Sequence, residues 1–334
     1  METSLVGSYP QPEWLVDREK LRGRLPPRVR ASDIWKIDPD QLANAQDAAT
    51  LAAIRDQERA GLDIVTDGEI RRESYSNYFV LALDGIDVDQ PGTALDRNGN
   101  PMPVPRVAGP ITRRGGSILK RDAEFLRGAT DRKIKVTVPG PFTMAQQAQN
   151  DHYKTDEEVA FAFADVVRQE VTELFEAGVD IVQLDEPWME SRADQARAFG
   201  IETLNRALDG VTGTTVLHIC FGYPLFVPGH KRTYRFLAEL ADAPVDQISI
   251  ETAQAELDLE VLERLGDKTI VLGVIALDSD EVESANTVKQ RIERALPYTK
   301  NLVAAPDCGM KYLSREAAFG KLQSLVEGAK LASV

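Results

Sequence analysis

Cysteine and histidine are scarce in this chain: its 334 residues hold two cysteines and three histidines. Too few thiols are present for a disulfide framework. Long apolar runs are also missing. No stretch of about 18 apolar residues could span a bilayer. The opening Met1-Glu2-Thr3-Ser4-Leu5-Val6 lacks the basic region and apolar stretch of a secretory signal. A cytoplasmic setting is therefore expected, in which Cys220 and Cys308 stay reduced and available as metal ligands or nucleophiles. Positive charge is in deficit, with 39 Lys and Arg against 53 Asp and Glu and a net charge of −14. That balance excludes nucleic acid as a partner, because a phosphate backbone would be repelled, although a local basic pocket for a small anion remains open. Neither a low-complexity tract nor a flexible linker divides the chain, so residues 1–334 are expected to form one domain.

What is present is a repeated alternation. Apolar runs of β type occur at 4–6, 62–66, 134–138, 179–184, 214–219, 245–250, 269–272 and 301–304, with helical patterns in most of the gaps. Eight such runs predict parallel strands joined by crossover helices, an α/β chain folded as a single (β/α)₈ TIM barrel. Thr155 and Glu158 predict a capping box, and Gly178 stops the helix they begin. A second helix, 40–60, ends in the same way at Gly61. Ala60-Gly61-Leu62-Asp63-Ile64-Val65 reads almost like Ala177-Gly178-Val179-Asp180-Ile181-Val182, as if one helix-to-strand unit were used twice. The stretch 84–130 breaks the pattern with prolines and glycines. It reads as an insertion between strands 2 and 3, a hairpin and short helix placed to form a lid.

In Val216-Leu217-His218-Ile219-Cys220, alternate residues share a face of the strand, so His218 and Cys220 point the same way. A thiolate and an imidazole converging on one ion favour zinc. Taken alone, the pair reads more readily as a packed cysteine beside a hydrogen-bonded core histidine. Cys308 lies in the turn Pro306-Asp307-Cys308-Gly309, which a barrel places on the same rim as Cys220. Glu251, ending an apolar strand, offers a fourth ligand. Asp67, Glu69, Asp185 and Glu186 also follow strands. Acids crowded on one rim repel one another, which predicts a substrate bearing an amine.

These segments together resemble the C-terminal catalytic barrel of cobalamin-independent methionine synthase, and more closely the short single-barrel members of that family. The matching motifs run in order: Val6-Gly7-Ser8-Tyr9-Pro10-Gln11, Asp67-Gly68-Glu69, Gln183-Leu184-Asp185-Glu186-Pro187, His218-Ile219-Cys220, Ile248-Ser249-Ile250-Glu251-Thr252 and Pro306-Asp307-Cys308-Gly309-Met310-Lys311. The resemblance implies Zn²⁺ held by His218, Cys220, Glu251 and Cys308. Of such a set Glu251 is the hardest donor, and it is the ligand expected to loosen when a substrate sulfur arrives. The resemblance also implies that the Gly7-Ser8 backbone, Glu69 and Asp185 hold the two ends of homocysteine, which is methylated to methionine. Methyl-folate and a methyl-corrinoid are the candidate donors, the latter bringing a corrinoid protein as a candidate partner.

The chain departs from the long enzymes of the family in several places. It is expected to work without their N-terminal barrel, and Asp67 stands where they have histidine. Asp278 stands where a histidine assists the folate leaving group, and it serves as an acid there only if burial tunes it. The segment after Cys220 is longer and carries His230, read as a loop residue. Trp188 either stacks on a flat donor ring or covers the barrel mouth, and Arg71 and Arg72 either meet a substrate anion or, as paired arginines more often do, face solvent. Three rival readings stand beside this one. An epoxide:coenzyme M transferase would leave Glu69 and Asp185 without a cation. A porphyrin decarboxylase would leave the cysteines unused. A zinc-stabilised thiol- or corrinoid-binding protein would have a closed metal site, usually richer in cysteine.

Overall fold

The computed structural model describes residues 1–22, 26–95, 99–222, 233–255 and 257–332. Its strands are β1 (Glu2–Thr3), β2 (Ile64–Val65), β3 (Leu83–Leu95), β4 (Pro101–Arg113), β5 (Lys133–Pro139), β6 (Gln149–Asn150), β7 (Ile181–Asp185), β8 (Thr214–His218), β9 (Gln247–Glu251), β10 (Thr269–Ile275) and β11 (Leu302–Pro306). Eight of them form one parallel sheet in the order β1-β11-β10-β9-β8-β7-β5-β2. A parallel bridge between Ser4 and Ile64 brings the two outer strands together, so the sheet curls into the expected barrel. Crossover helices cover its outside, burying Ile134, Val136 and Val138 on one face of β5, while Val6, Ile64, Ile181, Val216, Val271 and Val303 pack together within the ring.

The apolar runs locate every barrel strand but not every strand end. The first pairs two residues earlier than its apolar run, as Glu2–Thr3, with Ser4 continuing as the bridge. β7 and β9 extend one residue further, to Asp185 and Glu251, because each is held in register by a neighbour, Asp185 opposite His218 and Glu251 opposite Gly273. Polar residues at the carboxyl ends of strands are therefore fixed by the sheet itself.

The cap of the helix Asp156–Glu176 is half as expected. Thr155 accepts from Glu158 N at 3.1 Å, but the Glu158 carboxylate reaches one residue further back, to Lys154 N at 2.8 Å. The insertion contains the predicted hairpin, β3 antiparallel to β4, followed by the helix Lys120–Ala129, and β6 joins the hairpin as a third strand. Arg113 ion-pairs with Glu170 and Glu173 of the helix Asp156–Glu176, and Ser117 Oγ donates to Glu170 at 2.7 Å. These contacts anchor the end of β4 and the turn after it to the outer helix of the barrel wall. Among the described residues no helix is long and apolar enough to cross a membrane.

Candidate metal centre and active site

The carboxyl ends of β8 and β11 bring three soft or nitrogenous donors together. His218, Cys220 and Cys308 each offer a ligand atom, these atoms lie within 4.8 Å of one another, and all three residues are buried. His218 Nδ1 is 2.9 Å from Ser249 Oγ, which fixes the ring, while the buried Nε2 makes no well-formed hydrogen bond and the Cys220 thiol lies beside the ring. A hydrogen bond with Cys220, then burial and the nearby Glu251 charge, hold the Cys308 thiol well above its usual range. Two crowded thiols and a buried imidazole nitrogen without a well-formed partner are costly as a purely apolar packing arrangement. As a donor set, S₂N suits a soft divalent metal such as zinc. The described group therefore fits a metal ion.

Glu251 stands beside this group but is not one of its three members. Its carboxylate accepts from Phe221 N at 3.0 Å, and its own N–H donates to Tyr234 Oη at 2.8 Å. The Tyr234 hydroxyl in turn donates to Ile219 O at 3.1 Å, tying the end of β9 to the segment that carries Cys220. Asp307, buried at the head of the Cys308 turn, accepts from Thr252 N, Ala253 N and Gln254 N at 3.0, 3.0 and 2.9 Å. Gly273 permits that approach, since a Cβ there would lie 2.4 Å from Asp307 Oδ1. The loop after Glu251 is thus clamped to the loop carrying Cys308.

The acids expected to hold the substrate occupy the adjoining strand ends. Glu69 is buried and held at φ 53, an unusual backbone for a glutamate. Thr137 Oγ1 donates to its Oε1 at 2.9 Å, and its N–H donates to Asp67 at 3.0 Å. Gly7 lies against the same carboxylate, where a Cβ would come within 2.6 Å of Oε1. Asp185 accepts from Gln183 Nε2 at 2.8 Å, and burial, with Glu69 adding to it, pushes its pKa up to about 7. Ser8 O accepts from Met310 N at 2.8 Å, so the segment bearing Gly7 and Ser8 lies against the Cys308 turn.

Several expected roles change. Glu186 does not face a substrate; Phe142 N and Thr143 N donate to it at 2.9 and 2.7 Å, making it a brace for the start of a short helix. Arg71 and Arg72 are buried, not solvated. Trp188 is only 3% exposed within the main core, which favours covering over stacking. Asp278 is exposed, so the burial an acid role there requires is missing. His230 lies outside the described residues. Sequence reasoning misses Ser249, Thr137, Tyr234 and Asp307. Asp307 has the same signal as Glu251, an acid directly after an apolar strand; the others act across strands and carry no local signal.

A (β/α)₈ barrel whose strand ends gather two thiols, an imidazole and buried carboxylates defines a barrel enzyme with a group able to hold a metal. Residues 1–331 match the family described as the catalytic domain of cobalamin-independent synthase. The chain belongs to this cobalamin-independent methionine synthase family and is a methyltransferase. It is 33% identical over 343 residues to a methionine synthase of Saccharolobus islandicus (strain L.S.2.15 / Lassen #1), covering 99% of the chain and 94% of that relative. A methionine synthase of Sulfolobus acidocaldarius is 30% identical over 331 residues, covering 98% of the chain and 91% of the relative. Among solved structures, the B12-independent methionine synthase from Shewanella sp. W3-18-1, in complex with selenomethionine, superposes with a TM-score of 0.90 at 33% identity, covering 99% of this chain and 97% of that one.

Proposed function

We propose that this enzyme transfers a methyl group to homocysteine, forming methionine, at a zinc site made by His218, Cys220 and Cys308 with Glu251 as the exchangeable fourth ligand. The observation that carries the reading is the meeting of His218, Cys220 and Cys308 at the same barrel ends as the buried acids Glu69 and Asp185. The Shewanella enzyme lends support, since its bound selenomethionine is methionine with selenium in place of sulfur. Bound zinc would lower the pKa of the substrate thiol and keep it a thiolate near neutral pH. Glu69 and Asp185 receive the substrate ammonium, and the Gly7-Ser8 backbone receives its carboxylate. Held there, the substrate sulfur forms a bond to the donor's methyl carbon as the donor's own bond to that methyl breaks, the donor leaving with the electron pair.

The acids also separate this reading from transfer to coenzyme M, whose sulfonate lacks an ammonium and would face Glu69 and Asp185 as like charges. A methylated folate and a methylated corrinoid remain the two donors to test, and the family's description as cobalamin-independent lends no support to a corrinoid protein partner. A reducing cytoplasm suits a site whose two cysteines are both free thiols. The test is purified zinc-loaded protein supplied with homocysteine and each donor in turn. Methionine should form from one donor, stop on chelation and return with zinc. Turnover that survives complete metal removal would contradict the reading.

Ser249 gives a second expected result. Its hydroxyl at His218 Nδ1 sets which ring nitrogen is left for the metal. Ser249→Ala is expected to weaken zinc affinity roughly 10- to 100-fold, measured by competition with a chromophoric chelator. An unchanged affinity would remove Ser249 from the site.

A further inference from the structure

Arg72 is buried, and its NH1 donates twice to one residue, to Thr137 O and to Thr137 Oγ1, both at 2.9 Å. A guanidinium can only donate. The Thr137 hydroxyl must therefore accept from Arg72, which leaves its single proton for its other neighbour, Glu69 Oε1, at 2.9 Å. Among the described residues no hydrogen bond reaches the other oxygen of Glu69. One carboxylate oxygen is thus fixed by a directed donor while the second is left for something else. The groups around this chain include Asp67, whose Oδ2 lies 4.0 Å from Arg72 NH2, Asp122, Gln11, whose Nε2 donates to Arg72 O at 3.1 Å, and Lys311, whose Nζ donates to Arg72 O at 2.7 Å and whose charge lies near Glu69. None of these makes a hydrogen bond to the Glu69 carboxylate. On the neighbouring strand, Gln183, which faces Thr137 in register, donates to Asp185 in the same manner.

We propose that Arg72 and Thr137 are positioning residues for substrate recognition: Arg72 orients the Thr137 hydroxyl, and that hydroxyl aims Glu69 at the ammonium of the amino-acid thiol. The proposal rests on the reading that Glu69 receives the ammonium. Glu69 needs such support because it sits on a left-handed backbone, where its own conformation is costly and a neighbour must hold it. The arrangement selects for an α-amino group and is indifferent to the thiol.

The test uses zinc-loaded protein and calorimetric binding of two thiols, homocysteine and mercaptobutyrate, which is homocysteine without its amino group. Glu69→Gln tests the underlying reading: it should weaken homocysteine and leave mercaptobutyrate unchanged, and an equal effect on both thiols would remove Glu69 from ammonium recognition. Thr137→Val, which keeps the branched shape and removes the hydroxyl, should weaken homocysteine about tenfold, with mercaptobutyrate and zinc content unchanged. Thr137→Ser should restore wild-type affinity. In the Glu69→Gln background, Thr137→Val should add less than about twofold, because its effect passes through Glu69. A selective Glu69→Gln beside a Thr137→Val that binds homocysteine normally would overturn the relay alone. So would full additivity of the two, or a Thr137→Val that weakens both thiols equally. If Thr137→Val does not fold, Thr137→Ala carries the same expectations.

Discussion

Cys308→Ser is expected to lose zinc and methyl transfer together, with metal content well below stoichiometric and turnover reduced on the order of 10³-fold or more. The hydroxyl is nearly isosteric with the thiol, so the buried turn keeps its packing. A serine oxygen is a harder and far more basic donor than a thiolate and does not replace it for zinc at neutral pH. Elemental analysis and methionine formation on the same preparation make the check, with circular dichroism confirming the fold. Full turnover in metal-free Cys308→Ser would refute the site. The same substitution at Cys220 should behave alike, since both thiols belong to one cluster with His218.

Gly7→Ala is expected to damage substrate binding while leaving the metal in place. Its new methyl would stand 2.6 Å from Glu69 Oε1 and 2.9 Å from Thr137 Cγ2. Neither neighbour moves freely, because Thr137 is on a barrel strand and bonded to Arg72, and Glu69 is bonded to Thr137. The carboxylate must leave its place, and losing a hydrogen bond to a charged group costs about 1.5–3 kcal/mol. The KM for homocysteine should therefore rise roughly 10- to 100-fold, with zinc content unchanged and a modest loss of thermal stability from overpacking. An unchanged KM would show that Glu69 does not meet the substrate.

How much of this is legible in the sequence depends on where the information lies along the chain. The barrel is readable because each strand lies in or beside a short, largely buried apolar run, and each run signals independently of the others. His218 and Cys220 are readable because a two-residue spacing on a strand guarantees a common face. Cys308 requires the barrel first: parallel pairing puts the ends of β8 and β11 on one rim, and the curl of the sheet across β9 and β10 turns them toward each other. Thr137 and Ser249 are out of reach, because their partners are set by strand register and by turns rather than by sequence distance. Arg72 reads as solvated for the same reason, since nothing local announces that its guanidinium ends inside the barrel on Thr137. Asp278 shows the reverse error, a position matched by motif whose side chain is exposed.

The 84–130 insertion is legible as a hairpin and helix, but its anchorage to the helix Asp156–Glu176 is not. Its proline and glycine content announces turns, whereas its location is decided by Arg113 meeting Glu170 and Glu173 more than fifty residues away.

The central claim is that the metal held by His218, Cys220 and Cys308 takes the substrate's sulfur into its own coordination shell. Zinc-edge X-ray absorption of the loaded enzyme, before and after homocysteine, reads this directly. The expected result is one additional sulfur in the shell with the loss of one nitrogen or oxygen neighbour, the position assigned to Glu251. A shell of unchanged composition under saturating homocysteine would contradict it and leave the metal as a structural brace.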